Sequence, residues 1–579
     1  MIAFQDYNTL LLLFLALVST TFLLGRALYS SKAQTKPPLP PSPPALPIIG
    51  HLHLLGKLPH QALCKVSARY GPIVYLRFGY KPSLLVSSAE IAKECLKTNE
   101  SCFLNRPQRA NFDYLTYGNS DFSVAPYGPF WKFMRKLTVN KLLGASIMDF
   151  YRPIRREEIG VLISNLRKLA NDGEKVDVGA QLMGLTNNVI SRMALKQKCA
   201  KNDDDAYEMR HVVDEMCDLA GKLNVQDFIW FCRKLDLQRF GKRLREVRGR
   251  YDRLMGRIIE DHEQAKRKRK ESKCADDEEV KDILDMLLDE FEDEKSEIKL
   301  TKENIHAYVM NIFGAGTETQ SVTMEWALSE LLTHPTAMAK ARQEIKQVVG
   351  TNRIVEESDL PNLPYVRAVI KETLRLHPGG PFIARESSKD CNIAGYHVPA
   401  NTRLFLNTWA INRDPTHWDD PHRFIPERFM EEKKDVDVRG QNFEVLPFGS
   451  GRRGCPGVNL ALLVVPTTVA ALVQCFDWNG VVDMEEGFGL SLPRAKPLNF
   501  EVLPFRSGRR GCPGFNLALL VVPTMVAALV QCFDWKVGED KNDVVDMEEG
   551  FGLSLPRAKP LVCFPVVRLD PFLRICDTL

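Results

Sequence analysis

Apolar residues form one uninterrupted run near the start of the chain. Thr9 to Leu24 reads TLLLLFLALVSTTFLL, and with its flanks it approaches the roughly 20 residues that a helix needs to cross a bilayer. A cleaved signal peptide is the alternative, but the run is long and is preceded by Asp6 rather than by a basic residue. Basic residues follow the run, at Arg26, Lys32 and Lys36. Because positive charge stays on the cytosolic side, the pattern predicts a single-pass anchor, residues 1–30, and a cytosolic body.

The rest of the chain divides into a proline-rich stretch and a long body. The stretch reads KPPLPPSPPALP from Lys36 to Pro47 and favours polyproline II, so residues 31–47 are predicted to form a hinge. A recognition peptide for another domain is the alternative. From residue 48 onward amphipathic helical patterns dominate, with short apolar runs at Ile73–Leu76 and Ser83–Val86. The predicted fold class is therefore mainly α with a small β region.

A basic run, KRKRK at Lys266–Lys270, interrupts these patterns and is followed by acidic residues. We predict that it lies in a solvated loop between helices, with a binding role as the alternative.

An internal repeat occupies the end of the body. Residues 443–478 match residues 500–535 with three differences, and residues 481–498 match residues 544–561. One pair of copies is too few for a solenoid. We therefore predict one domain, residues 48–579, with a duplicated segment at 443–498 and 500–561. The three differences are Gly449 against Arg506, Val458 against Phe515, and Thr468 against Met525.

Composition narrows the function classes only slightly. The formal net charge is +4 over 579 residues, which gives no argument for nucleic acid as a partner. The 14 cysteines form no spaced framework and no CxxC pair, a pattern typical of a reducing compartment with buried thiols.

One cysteine stands apart from the others. Residues 448–457 read FGSGRRGCPG, and the apolar helical run Leu460–Phe476 follows. Glycines let the backbone approach a flat ligand closely. Cationic neighbours and a helix N-terminus favour the thiolate of Cys455, the form that binds iron and promotes O–O cleavage. A cysteine in apolar sequence is otherwise a packed core residue.

A second candidate site lies within an apolar helix predicted from about Asn304 to Leu332. Its centre reads AGTET, where a glycine kink would make room for a diatomic ligand. The hydroxyl of Thr319 and the carboxylate of Glu318 are able to relay protons to bound oxygen. The alternative is a core helix with a polar stripe.

The spacing Phe448-x-x-Gly-x-Arg453-x-Cys455-x-Gly resembles the haem loop of the cytochrome P450 superfamily. The resemblance covers the chain to Arg568. It implies the cytochrome P450 fold, Cys455 as the axial ligand of haem b, Arg453 as a propionate partner and Thr319 with Glu318 as the oxygen-activation pair. Further residues match the family by position. Trp131, Arg135 and Arg385 match propionate contacts, and Glu372, Arg375 and Arg428 match a buried structural triad.

The resemblance also implies an activity and partners. The expected enzyme is a monooxygenase of the endoplasmic reticulum membrane that uses O2 and electrons from NADPH through NADPH-cytochrome P450 reductase. Lys132 and Lys136 are candidate reductase contacts, although solvated lysines are common. Pocket residues are expected at Phe112–Val124, Asn224–Leu237, Val309–Phe313 and Pro381–Ile383. Their apolar content suits a hydrophobic small-molecule substrate.

The nearest resemblance is to the plant group with flavone synthase II, 2-hydroxyisoflavanone synthase and dihydroxypterocarpan 6a-monooxygenase. It rests on LPIIGHLHLLG from Leu46, NVQDFIWF from Asn224 and DVRGQNFEVLPFGSGRRGCPG from Asp437. A flavonoid or isoflavonoid is the expected substrate, and a triterpenoid is the alternative because the group contains triterpenoid oxidases. The group usually has Asp at Glu318 and a hydroxyl residue at Gln320.

The repeat leaves two further questions open. The chain is either an active enzyme or a fusion product that cannot load haem. The iron ligand is either Cys455 or Cys512. Cys455 lies 29 residues after Pro426, close to the family interval, and Cys512 lies 57 residues further on. The second copy alone continues into Cys563–Val567, which resembles the family's final strand. A hybrid, with ligand and helix from the first copy and this strand from the second, is therefore the favoured arrangement.

Overall fold

The fold is described from a computed structural model. The structure describes residues 37–477 except 119, 172–175, 197–203, 234, 272–280 and 351–352. Beyond 477 it describes residues 484, 486, 490–494, 500–502, 533–537, 553–558 and 562–567. The predicted anchor, Thr9–Leu24, and Cys512 lie outside these residues.

Helices make up most of the described body. In chain order they are α1 Pro59–Tyr70, α2 Ala89–Lys93, α3 Ala110–Leu115, α4 Pro129–Leu137, α5 Ala145–Phe150, α6 Arg152–Asn171, α7 Val178–Leu195, α8 Asp204–Gly221, α9 Phe240–Glu271, α10 Ile283–Glu292, α11 Lys302–Thr333, α12 Pro335–Val349, α13 Pro364–Leu376, α14 Thr408–Ile411 and α15 Val458–Cys475.

The strands are short. They are β1 Ile73–Phe78, β2 Lys81–Val86, β3 Val176–Asp177, β4 Phe382–Glu386, β5 Cys391–Ile393, β6 Tyr396–Val398, β7 Arg403–Asn407, β8 Phe476–Asp477, β9 Leu490–Arg494, β10 Phe500–Val502, β11 Phe533–Val537, β12 Leu553–Ala558 and β13 Val562–Val567. One sheet has the order β1-β2-β7-β4, in which only β2 and β7 run parallel. The prediction of a mainly α chain with a small β region is confirmed.

Helix α11 forms the centre of the core. Thr301 begins it with a capping box, since its hydroxyl accepts the Asn304 N–H and the Asn304 side chain accepts the Thr301 N–H. Its second half is buried on all sides, with Trp326 at 0% exposure, as expected of a helix without a solvent face. Helices α7 and α15 pack against it. The prediction of a helix from Asn304 to Leu332 is confirmed.

The basic run is not a loop. Lys266–Lys270 falls inside α9, which continues to Glu271. Lys266 Nζ lies 2.6 Å from the Asp289 carboxylate and 2.9 Å from that of Glu292, both on α10. The prediction was wrong because ion pairs to a neighbouring helix support helical structure in this run, and only tertiary packing supplies those partners.

The described part of the predicted hinge, residues 37–47, is fastened to the body. Tyr75 N–H donates to Pro41 O at 2.8 Å, and His397 N–H donates to Pro38 O at 3.0 Å. The His51 ring lies 2.9 Å from Pro43 O. This part of the predicted hinge is therefore held against the body.

The two copies of the repeat meet at the last strand, β13. Val566 and Val567 pair antiparallel with Asp477 and Phe476 of the first copy. The other edge pairs with the equivalent residues of the second copy, Asp534 and Phe533, in the same register. β13 also pairs with β3. A strand that follows the second copy thus pairs with both copies, and the hybrid arrangement stays a prediction.

The apolar helix α15 is a core element. Among the described residues it is the one helix long and apolar enough to cross a membrane, yet 72% of it is buried inside the protein. Its composition reflects burial against α11, α12 and α13.

Candidate functional site

The loop before α15 is shaped by glycines and by contacts to its own backbone. Cys455 N–H donates to Phe448 O at 2.8 Å, which closes the loop. Gly449 and Gly451 both have φ of +69°, a region that residues with a Cβ rarely adopt. A Cβ on Gly451 would lie 2.4 Å from the Glu100 carboxylate. The loop therefore holds Cys455 in one place with little freedom.

The Cys455 thiol is accessible, but its surroundings desolvate it. The residue is exposed to solvent, yet enough protein surrounds it that burial raises the pKa of its thiol. The Gly457 N–H and the guanidinium groups of Arg135 and Arg106 lower that pKa, but less than burial raises it. The cationic neighbours thus act in the predicted direction, and desolvation opposes them.

Four arginines cluster beside Cys455. Burial and the positive charges of Arg106 and Arg135 lower the pKa of Arg453 to about 9. Burial, together with Arg106 and Arg453, holds the pKa of Arg385 well below its ordinary value. Sequence analysis missed Arg106, which carries no motif and reaches the cluster only through folding. Its buried Nε has no hydrogen-bond partner within the described part of the chain.

Arg453 organises the cluster through backbone contacts. Its Nε donates to Leu104 O at 2.8 Å, and its Nη atoms donate to Ser123 O and Ala125 O. Its guanidinium lies 4.4 Å from the centre of the Trp131 ring, a cation–π contact. Arg453 therefore ties the cysteine loop to α4 and to the segment before it.

Helix α11 carries the second predicted site, Glu318 and Thr319. Ala315 is exposed although it lies in the middle of a core helix, so its face borders an opening. Thr319 Oγ donates to Ala315 O at 2.8 Å, which turns the hydroxyl along the helix. A Cβ on Gly379 would lie 3.8 Å from Thr319 Cβ. Glu318 is half-buried on the same turn.

The glycine of the AGTET motif has a packing role. A Cβ on Gly316 would lie 2.8 Å from Ile190 Cδ1 of α7, and α11 is helical without a break from Lys302 to Thr333. Gly316 allows the close approach of α7, and the predicted kink stays a prediction. The Gln320 side chain donates to Gly316 O at 2.7 Å.

A second buried charged site lies behind the cysteine loop. Arg375 donates two bonds of 2.7 Å to the Glu372 carboxylate. It also donates to the carbonyl oxygens of Asn412, Pro421 and Arg423 at 2.7 to 3.0 Å. Arg428 Nε lies 3.5 Å from Glu372 Oε1. The structure thus brings the predicted triad together, and all five N–H bonds of Arg375 are used.

Two of the predicted pocket segments differ in how the structure places their side chains. Within Phe112–Val124, the buried Asp121 carboxylate accepts two hydrogen bonds from Asn311 of α11, at 2.6 and 2.7 Å. This fixes the segment over α11. Within Asn224–Leu237, however, Trp230 is 67% exposed and Leu237 63% exposed. These two side chains face outward although other residues of the segment are buried, so apolar composition did not distinguish an inner wall from an outer surface.

The residues fit an anionic, planar, iron-containing group. An accessible thiol, neighbouring arginines that depress one another's pKa, and an Arg106 Nε without a partner in the described part of the chain lie close together. Buried cations of this kind require anions to balance them. Cys455 would hold the iron, and Arg106, Arg135, Arg385 and Arg453 would face the carboxylates of a haem.

Comparisons with known proteins agree with this geometry. The sequence profile described as Cytochrome P450 matches residues 40–498 and again residues 492–564. The chain is 49% identical to 3,9-dihydroxypterocarpan 6A-monooxygenase of Glycine max over 85% of this chain and 97% of that protein. It is 42% identical to 2-hydroxyisoflavanone synthase of Glycyrrhiza uralensis, over 81% and 92% of the two chains.

Two further comparisons concern substrate range and fold. The chain is 42% identical to beta-amyrin 24-hydroxylase of Glycine max over 86% of this chain and 97% of that protein. A solved zebra fish cytochrome P450 structure with progesterone has a TM-score of 0.65 at 24% identity, covering 88% of this chain and 99% of that one. The chain therefore belongs to the cytochrome P450 family and has its fold and its monooxygenase chemistry.

Proposed function

We propose that this chain is a haem-thiolate monooxygenase that oxidises a flavonoid or isoflavonoid, using Cys455 as its iron ligand. The observation that carries the proposal is the cluster of Arg106, Arg135, Arg385 and Arg453 beside the Cys455 thiol, in a loop closed by its own backbone. The substrate class is inferred from the relatives, since the flavonoid-related enzymes include the relative with 49% identity and the triterpenoid hydroxylase has 42%.

Cys455 is preferred to Cys512 for a conformational reason. Gly449 adopts φ of +69° in the loop of the first copy, and the second copy has Arg506 at the equivalent position. A residue with a Cβ costs roughly 1–2 kcal/mol in that region, and a charged side chain there would need a partner. The first copy is therefore the better loop for a flat ligand.

Bound haem would supply an iron that binds and activates O2. The chain's own residues would then manage substrate and protons. Thr319, with its hydroxyl already hydrogen-bonded to Ala315 O, is proposed to hold and pass a proton, with Glu318 as the source. Arg453 and Arg385 are proposed to orient the haem, and Trp131 to keep Arg453 in place.

Electrons are proposed to arrive from NADPH through NADPH-cytochrome P450 reductase. Helix α4 has two faces: Trp131 is buried toward Arg453, whereas Lys132 and Lys136 are exposed. An exposed basic face directly outside the cysteine site would suit an acidic electron donor.

A location on the endoplasmic reticulum membrane is supported by the surface around the β1–β2 turn. Gly79 N–H donates to Ile49 O at 3.0 Å, and a Cβ on Gly79 would lie 1.8 Å from Phe228 O. The segments on either side expose Ile48 and Trp230, at 64% and 67%. An apolar surface next to the chain leaving the anchor would suit contact with lipid.

Three experiments test the proposal. The reduced protein with carbon monoxide should give the spectrum of thiolate-bound haem, and its absence would favour the inactive fusion product. Supplied with NADPH and reductase, the protein should oxidise 3,9-dihydroxypterocarpan; oxidation of β-amyrin instead would establish the triterpenoid alternative. In microsomes, the body should be digested by protease added from the cytosolic side, and its protection would contradict the topology.

A further inference from the structure

Asp121 places a buried carboxylate in the predicted pocket segment that precedes α4. The residue has 0% exposure. Ser123 contributes two donors, its N–H to Oδ1 and its hydroxyl to Oδ2, both at 2.7 Å. Asn311 Nδ2 of α11 lies 2.6 Å from Oδ1 and 2.7 Å from Oδ2. Both oxygens therefore accept hydrogen bonds from donors on two sides, which is the pattern of an ionised carboxylate.

Burial and hydrogen bonding act on this carboxylate in opposite directions. Burial raises the pKa of Asp121, whereas the donors of Ser123 and Asn311 and the charge of Arg106 lower it. Burial is the stronger effect, so the negative charge is costly where it stands. A buried charge is tolerated when opposite charges and hydrogen bonds surround it. The cations around Asp121 therefore decide what its charge does.

Those cations belong to the arginine cluster beside Cys455. Burial lowers the pKa of Arg106, and the negative charge of Asp121 opposes that fall. Burial, followed by the positive charges of Arg106 and Arg135, lowers the pKa of Arg453 to about 9, and the charge of Asp121 opposes this fall as well. Asp121 is thus a negative charge that acts on two members of the cluster. One carboxylate does not balance four arginines, so the cluster still has an excess of positive charge.

Asp121 also joins the arginine cluster to α11. Its partner on that helix is the Asn311 side chain. Arg453 holds the same segment from the other side, because it donates to Ser123 O at 3.3 Å and to Ala125 O. Residues 121–125 are therefore held between α11 and the guanidinium of Arg453. A change of charge at Asp121 acts on both the pocket wall and the cluster.

We propose that Asp121 is an internal counter-ion of the arginine cluster, that its charge lowers the reduction potential of the haem iron, and that Asn311 keeps this charge in place. The inference rests on the proposed haem site at Cys455. Ferric haem has one more positive charge than ferrous haem, so a nearby negative charge in a poorly solvated site favours the ferric form. Asp121 is a positioning residue rather than a catalytic one, because its partners are groups of the protein.

The test moves the charge across the hydrogen bond in the full chain. Asp121→Asn removes the charge and keeps the shape of the side chain. The double variant Asp121→Asn/Asn311→Asp places a carboxylate on α11 opposite an amide, so the contact and the charge are both kept. Asp282→Asn is the matched control: Asp282 is 1% exposed and accepts a backbone N–H at 2.7 Å, but its charged neighbours are His262 and Asp285.

The first measurement is a spectroelectrochemical titration of the haem iron without substrate. At a fixed electrode potential, the ferrous-to-ferric ratio should rise about fivefold in Asp121→Asn, because a unit negative charge has been removed from a poorly solvated site. The ratio should return to within about twofold of the parent in the double variant and stay unchanged in Asp282→Asn. A merely structural role would not follow the charge, since the double variant changes both side chains and would then differ from the parent more than Asp121→Asn does.

The second measurement needs no haem. In urea, the haem-free chain should unfold at a lower concentration for Asp121→Asn than for the parent, because the arginines lose a negative charge that opposes their repulsion. The double variant should recover the parent's midpoint. Failure of the parent to load haem would defeat the proposed function, while this measurement would still decide the counter-ion role. Failure to oxidise any test substrate would defeat the substrate class alone.

Several results would overturn the inference. A parent-like potential in Asp121→Asn would show that this charge does not act on the iron. An equal shift in Asp282→Asn would show that the effect does not depend on the arginine cluster. A folded double variant that keeps the potential of Asp121→Asn would show that charge is not the cause. If Asp121→Asn does not fold, the double variant decides: a parent-like potential supports the inference, and any other outcome removes the counter-ion role.

Discussion

Two groups of buried arginines in this protein differ in how their charge is balanced. Arg375 faces the Glu372 carboxylate and three carbonyl oxygens, so every N–H is used. Around Cys455, the arginines lower one another's pKa, and Arg106 Nε lacks a partner among the described residues. A satisfied buried charge is part of the fold, whereas a cluster with excess charge indicates a ligand.

The largest effect is expected at Cys455, in the middle of the arginine cluster whose charge is not balanced. Cys455→Ala should abolish the thiolate-type carbon monoxide spectrum, and Cys512→Ala should leave it intact, because the second copy has Arg506 in place of Gly449, which has φ of +69°. Spectra of the two reduced variants at equal protein concentration provide the measurement. Loss of the band in Cys512→Ala alone would refute the assignment.

The two arginine groups should respond oppositely to truncation. Arg375→Ala leaves Glu372 buried without its partner and should cost about 3–5 kcal/mol, with little folded protein recovered. Arg385→Ala removes a cation from a crowded group, so the haem-free protein should unfold at the same or a higher urea concentration while haem is lost more readily. Urea unfolding and haem retention on gel filtration measure both. Destabilisation of the haem-free chain by Arg385→Ala would contradict the distinction.

An intermediate effect is expected at Thr319 of α11. Thr319→Ala should retain haem but lower product formed per NADPH by roughly tenfold to a hundredfold, because the relay loses its hydroxyl. Peroxide released per NADPH should rise to match. Thr323 is a suitable control, since its hydroxyl donates to Thr319 O one turn away. Unchanged coupling in Thr319→Ala would remove its proposed role.

The last prediction concerns the pH dependence of stability and a carboxyl near the Arg375–Glu372 pair. Burial, followed by the charge of Glu372, raises the pKa of Glu330 from 4.5 to about 8. The folded state therefore favours the protonated form, and this contribution to stability is lost as pH rises from about 4.5 to about 8. Glu330→Gln should flatten the fall in unfolding free energy over that range, by up to about 1.4 kcal/mol per pH unit.

Urea unfolding at pH 5, 6, 7 and 8 checks the Glu330 prediction. The side chain lies 2.7 Å from His377 Nε2, and the His377 ring stacks on Trp326 at 3.7 Å. His377→Gln serves as the control for loss of this contact alone. An identical pH slope in the parent and Glu330→Gln would contradict the raised pKa.

Short stretches of sequence were sufficient to predict much of the fold and part of the site. Apolar periodicity placed α11 to within two residues, and the short apolar runs at Ile73–Leu76 and Ser83–Val86 located β1 and β2. The glycine and arginine spacing around Cys455 identified the loop before any coordinates. Each of these signals lies within a short stretch of sequence, where backbone preference and side-chain type act together.

Local chemistry failed where the deciding partner is distant in sequence. The Lys266–Lys270 run is helical because α10 supplies carboxylates. Trp230 is exposed although its segment reads as pocket lining. Burial decides the direction of the pKa shift at Cys455. None of these features has a signature in the residues that surround it.

The sequence by itself determined the loop around Cys455, helix α11 and the existence of two nearly identical terminal segments. Tertiary structure alone decided how those segments are used. Glu486 meets His60 and Trp409, which lie far from it in sequence. β13 follows the second copy but pairs with both. The physical reason is that identical segments have identical local preferences, so only their contacts with the rest of the fold can make them differ.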